Sequence, residues 1–251
     1  MPKTAICNAK SQKNSGRNVQ KTEERKLRGR TLTSSAIIPK TVFWDVDTQR
    51  DFMKSDGALY VPESEEIGSR VGGITETAKD GGYIVMGSVD YHTEDDEELE
   101  RNGGPFPDHC MKNSGGEEKI EEVAKNLDNP IYIPSSEMSE EEINEITEEI
   151  KRGREAYFQK HELDVFSNGN VEKVLDGIDI ERVMMYGVTT EYCVKEAALG
   201  MRDRGLDVYV LEDATKPVSK EDGREAIEEM KEEGVEMINC EDYRGLLEVD
   251  I

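Results

Sequence analysis

The chain has 251 residues, of which 35% are hydrophobic and 35% charged, and a formal net charge of -24. That length holds one large α/β domain or two small ones. The acidity disfavours nucleic acid as a partner, and no apolar run approaches the ~20 residues that cross a bilayer. The four cysteines (Cys7, Cys110, Cys193, Cys240) are widely spaced and form no C-x-x-C pair. They argue against a disulfide or zinc-finger framework and for a reducing, cytoplasmic setting.

Charge is unevenly spread. Residues 1–40 carry ten Lys/Arg against two Glu, a net +8, and the rest carries 22 basic against 54 acidic residues, a net -32. Residues 1–40 therefore read as a basic, disordered tail, and residues 41–251 as the folded domain. The acidic body suits either a protein kept soluble in high salt or simply heavily solvated helix faces.

From residue 41 the pattern alternates strand and helix. Strands are expected over 41–47, 83–89, 130–133, 182–188, 208–212 and 235–239. Several are continuous apolar runs, as parallel strands covered on both faces should be. Helices are expected over 63–79, 117–126, 139–152, 171–175, 192–204 and 219–233. Ser139 followed by Glu142 forms a capping box, and Gly205 and Gly234 are stop signals. The expected fold is a three-layer α/β/α domain on a mainly parallel, Rossmann-like sheet of about six strands.

In such a fold reactive groups gather at the C-terminal ends of strands. Asp47 ends the first strand, Asp90 ends the second, and Cys193 follows the strand 182–188. A cysteine in the first turn of a helix gains from the helix dipole, which favours a thiolate; otherwise it is a small buried hydrophobe. The chain has three histidines, His92, His109 and His161. Asp90 and His92 are two residues apart, so both project from one side of an extended segment. His109 lies in PFPDHC on a returning loop, and would complete a facial N,N,O set for zinc, iron or manganese. Cys110 beside it is assigned to packing. Lys160, after Tyr157 and Phe158, is a candidate cation at the end of a small strand; taken alone, a lysine is usually an exposed charge.

Four ordered motifs then resemble the isochorismatase-like cysteine hydrolases, most closely the nicotinamidase-related branch. They are DVDTQRDF with DGALYVP, SVDYH with FPDHC, FQKHELDVFSN, and GVTTEYCVKEAALGM. The resemblance implies a catalytic Asp47–Lys160–Cys193 triad and a divalent metal, zinc first, on Asp90, His92 and His109. It also implies a cis Val188–Thr189 peptide and an oxyanion hole from the Thr189 and Cys193 amides. Phe52 and Tyr192 are candidates for the substrate pocket, or else core aromatics. Two departures bear on the substrate: Tyr91 stands where the family often has Trp, and an acidic loop, residues 93–104, replaces the usual second His.

The implied activity is release of ammonia from a small amide, nicotinamide foremost, through a thioester on Cys193. Another small amide, an isochorismate-like substrate, a metallohydrolase with a structural Cys193, and a non-catalytic binding protein stay open as alternatives. The expected partners are the small-molecule amide and further copies of the chain. Residues 135–153 read as a helical insertion, either a lid or a subunit contact.

Overall fold

The computed structural model describes residues 40–247; apart from Lys40, the basic tail expected over residues 1–40 lies outside them. Seven strands, β1 (Thr41–Val46), β2 (Ile84–Asp90), β3 (Ile131–Ile133), β4 (Ala156–Lys160), β5 (Arg182–Val188), β6 (Asp207–Lys216) and β7 (Glu236–Ile238), form one sheet. Its order is β3-β4-β2-β1-β5-β6-β7, and every pairing is parallel. The chain starts at the centre, builds out through β2, β3 and β4, then returns to place β5 on the other side of β1. Strand order reverses at β1, the switch point where open α/β sheets form their crevice.

Two apolar layers flank the sheet. One face carries Trp44, Met86, Phe158 and Met185, covered by the helices Glu140–Lys151, Asn170–Gly177, Lys195–Asp203 and Lys220–Glu232. The other carries Phe43, Val85 and Met184, covered by helix Gly68–Asp80 through Val71, Ile74 and Ala78. The alternation Val42/Trp44 against Phe43 along β1 is the two-residue period of a strand buried on both sides.

The sheet bears out the expected fold, with seven strands where about six were expected. The added strand is β4, whose sequence AYFQK is short and half polar. It is nonetheless buried at four of its five positions because β3 and β2 cover both its edges. The helix expected over 117–126 shrinks to Glu121–Ala124. Before it the chain is extended, with Lys119 bridged to Gln49 and the Ile120 N–H donating to Thr48 O at 3.0 Å. This extension carries Lys119 under β1.

The segment expected as a lid or subunit contact is the β3–β4 crossover helix Glu140–Lys151, packed into the core through Ile143 and Ile150. Ser139 caps it: its Oγ accepts from Glu142 N–H, and Glu142 reaches back to Ser139 N–H at 2.9 Å. Between β1 and β5 the backbones approach closely at Gly187, whose φ is 125° and where a Cβ would meet Val46 O at 1.9 Å.

Ser139→Ala should lower unfolding stability by about 1 kcal/mol, the usual worth of an N-cap, whereas Gly187→Ala should cost several times more. Urea denaturation followed by circular dichroism measures both.

Candidate active site

Four adjacent strand ends define the site. The register pairs Asp90 of β2 with Lys160 of β4, and Val46 of β1 with Ser88 and Gly187. Asp47, Asp90 and Lys160 therefore emerge at nearly one level, beside the turn that follows β5. All three are buried, as is Cys193.

Lys160 Nζ is the centre. It pairs with Asp90 Oδ1, lies 3.1 Å from Asp47 Oδ2 and 3.4 Å from Cys193 Sγ, and donates to Glu162 O at 3.1 Å. Asp47 is fixed by Ser88 Oγ, which donates to its Oδ1 at 2.7 Å, and by a left-handed backbone (φ 45°) unusual outside glycine. Its Oδ2 accepts no well-angled hydrogen bond, so a lone pair remains for the sulfur, which lies within 4.8 Å.

The proton distribution follows from burial and these neighbours. Burial alone would lower the Lys160 pKa, but Asp47 and Asp90 outweigh it and hold the ammonium charged well above the usual range. Burial would raise Asp90, yet Lys160 and the two imidazoles pull it well below the carboxylate range. Asp47 is raised, mainly by burial, against the pull of Lys160. Cys193 is raised well above an ordinary thiol by burial, with Lys160 opposing and Asp47 and Asp90 adding to the rise.

The expected placement of Cys193 in the first turn of a regular helix is corrected. Thr190–Val194 forms one wide turn with a non-helical Tyr192, and the regular helix begins only at Lys195. Cys193 precedes that helix's first turn, so burial and its charged neighbours outweigh a helix dipole in its surroundings. The Val188–Thr189 peptide is cis, and Thr189 and Cys193 both face the pocket.

Next to this cluster stand His92 and His109, both buried, with ring centroids 4.6 Å apart. His109 Nδ1 faces Pro107 O at 2.8 Å and His92 Nδ1 faces Asp96 Oδ2 at 3.1 Å. Both partners only accept, so both Nδ1 atoms carry a proton, and in the neutral imidazoles both Nε2 atoms present lone pairs. These point toward Asp90 Oδ2, at 3.5 Å from His109 and 3.9 Å from His92, and His92 Nε2 has no hydrogen-bond partner. Two imidazole Nε2 atoms converging on one buried carboxylate make an N,N,O set that fits a divalent metal. A further carboxylate, Glu98, lies 3.5 Å from His92 Nε2, and burial with Asp90 nearby raises its pKa.

Between the two clusters opens a cavity of about 120 Å³. Its walls are Phe52, Leu59, Val61, Phe106, Leu163 and Tyr192, and Asp90, His109 and Cys193 reach into it. Phe52 and Tyr192 are therefore both wall residues of this cavity.

The isochorismatase domain family matches residues 42–242. The chain belongs to the isochorismatase family. It is similar to a nicotinamidase from Saccharomyces cerevisiae, 24% identical over 212 residues that cover 75% of this chain and 92% of the relative. A pyrazinamidase structure from Pyrococcus horikoshii, in complex with zinc, is 30% identical, covers 80% of this chain and 99% of its own, and superposes with a TM-score of 0.64. A structure from L. infantum in complex with nicotinate is 20% identical, covers 81% and 96%, and has the same TM-score of 0.64. These relatives support an amide-bond hydrolase of the nicotinamidase-like branch of the family.

Several supporting residues of this isochorismatase-family site escaped the sequence pattern. Gln49 clamps the Asp90 backbone, donating to its carbonyl at 2.7 Å and accepting from its N–H at 2.8 Å. Asp51 accepts from Cys110 N–H at 2.7 Å, fixing the residue after His109. Beneath Asp47, Lys119 pairs with Asp45 at 3.0 Å and is itself buried. The repeating polar spacing of residues 45–51 was the available signal; its three-dimensional partners were not.

Lys160 lowers the Cys193 pKa, so Lys160→Met should push that thiol higher still. Iodoacetamide labelling at Cys193, followed across pH by peptide mapping, should shift to more alkaline pH in the variant.

Proposed function

We propose that the chain hydrolyses a small aromatic amide, nicotinamide foremost, to the acid and ammonia through a thioester on Cys193. The observation that carries this reading is Lys160 Nζ bridging Asp47 and Cys193, whose side chain lines an apolar cavity sized for about one ring. The zinc-bound pyrazinamidase and the nicotinate-bound structure, each named for its own ligand, support it by analogy.

In this mechanism Asp47 takes the Cys193 proton as the carbonyl carbon approaches, and the sulfur forms a C–S bond. The carbonyl oxygen becomes an oxyanion, held by the Thr189 and Cys193 backbone amides. Asp47 then returns the proton to nitrogen, the C–N bond breaks, and ammonia leaves. Water attacks the thioester with Asp47 again as base, the C–S bond breaks, and the acid departs with the thiol restored. Lys160 stays protonated throughout, compensating the negative charge passed between sulfur and carboxylate. Asp90, His92 and His109 would hold the divalent metal, zinc first, which when bound supplies a Lewis-acid contact for a ring nitrogen.

The same reading places the protein in the cytoplasm as a homo-oligomer; Cys110 and Cys193 form no disulfide, and no described helix is long and apolar enough to cross a membrane. Light scattering tests the assembly.

Cys193→Ala should abolish ammonia release from nicotinamide and pyrazinamide while leaving metal content unchanged. Turnover surviving in that variant would assign the reaction to metal-bound water instead. Asp47 works as a base only when deprotonated, and its pKa lies above the ordinary carboxylate range. The acid limb of kcat/KM should accordingly sit above pH ~4. Asp47→Asn should remove that limb together with roughly a hundredfold or more of the rate.

A further inference from the structure

The acidic loop that follows His92 is not uniformly solvated. Glu94, Asp95, Glu97 and Glu100 are exposed, while Asp96 and Glu98 turn inward, with side chains 16% and 11% exposed. Asp96 Oδ2 lies 3.1 Å from His92 Nδ1 and 2.9 Å from His161 Nδ1. The same oxygen accepts from Thr93 N–H at 2.8 Å, and Thr93 Oγ1 donates to Oδ1 at 3.0 Å. His161 Nε2 in turn faces Ser135 Oγ at 2.7 Å. Since a carboxylate only accepts, His161 carries its proton on Nδ1, and Ser135 donates to Nε2. Hydrogen bonds along Ser135–His161–Asp96–His92 therefore converge on the Asp96 carboxylate, which accepts from both imidazoles.

We propose that Asp96 is the positioning residue of the metal set, and that His161 and Ser135 brace it. Asp96 fixes the protonated side of the His92 ring, so that Nε2 stays aimed at Asp90 and His109. A carboxylate behind a ligating imidazole both orients the ring and raises its basicity. His161 follows Lys160 directly, so the brace ties the loop to the end of β4, the strand that also supplies the buried ammonium. The acidic loop, which replaces a segment usual in the family, thereby keeps a defined task at the metal. The proposal rests on Asp90, His92 and His109 being a cation site.

Zinc titration of the chelator-stripped full chain against a chromophoric competitor tests it, with the visible spectrum of the cobalt-loaded protein as the second readout. The wild type should bind one ion per chain. Asp96→Ala should bind zinc about 10–100-fold more weakly and show an altered cobalt spectrum. Asp96→Asn keeps one acceptor for His92 and should lose less, and His161→Gln should also weaken binding. If Asp96→Ala does not fold, those two variants carry the test. Glu97→Gln removes the same charge from the exposed side of the loop and should change neither readout. Affinities within twofold of wild type in both Asp96 variants would overturn the proposal. So would an equal loss in Glu97→Gln, or a second ion lost on removing His161. Zinc binding that is absent from the wild type, or indifferent to His109→Ala, would instead reject the cation site itself.

Discussion

One buried ammonium makes this site possible. Lys160 stands among Asp47, Asp90 and Cys193 with 1% of its side chain exposed. Two carboxylates and a thiol brought together without it would repel one another and pick up protons; a lysine buried without them would lose its own. The group is stable only as a whole, because each member offsets the desolvation of the next. That condition sets the demands on the fold: four strand ends must deliver their side chains to one point, and water must be kept out.

The sheet meets those demands by register. Asp90 and Lys160 are direct partners across β2 and β4, and Gly187 lets β5 close against β1 where a Cβ would strike Val46 O. Below this level a second buried pair, Asp45 with Lys119, lies in the same layer, with Lys119 Nζ 4.4 Å from the Tyr157 ring centroid. Alternating positive and negative groups down the sheet centre compensate one another in a medium where unpaired charge is costly. Residues 45–52 read as a set of separate tasks: Asp45 for the lower pair, Asp47 for the reactive cluster, Gln49 for Asp90, Asp51 for Cys110, and Phe52 for the pocket wall.

Burial and the two carboxylates favour the proton on the Cys193 sulfur, and this has a functional consequence. A fully buried thiol flanked by two carboxylates is held above its ordinary range despite the neighbouring ammonium. Such a group is quiet until a substrate occupies the cavity and a base is aligned. The neighbouring N,N,O set has a different character: two imidazole nitrogens and a carboxylate oxygen turned toward one point. The small apolar cavity lies where these two environments meet.

Much of this was legible in the chain itself. Continuous apolar runs marked the buried strands, Ser139 and Glu142 marked a helix start, and Asp47, Asp90 and Cys193 stood at strand ends because apolar runs stopped there. The motif order carried the family and, with it, Lys160, which spacing alone would have left on the surface. β4 entered only as a small strand ending at Lys160 and not among the main sheet strands, because AYFQK has neither the length nor the alternation of an ordinary one, and its neighbours on both edges help bury it. Asp96 and Glu98 were indistinguishable from the other acids of their loop. The helix after β5 was expected to begin before Cys193, because a helical pattern can be read from the sequence but the wide turn over Thr190–Val194 and the distance to two carboxylates cannot. Sequence by itself determined which residue types occur and which local elements they form, since propensity and periodicity act over a few neighbours. Tertiary structure alone decided which charges share one dry space, because those energies depend on distance and solvent exposure across strands that lie far apart in the chain.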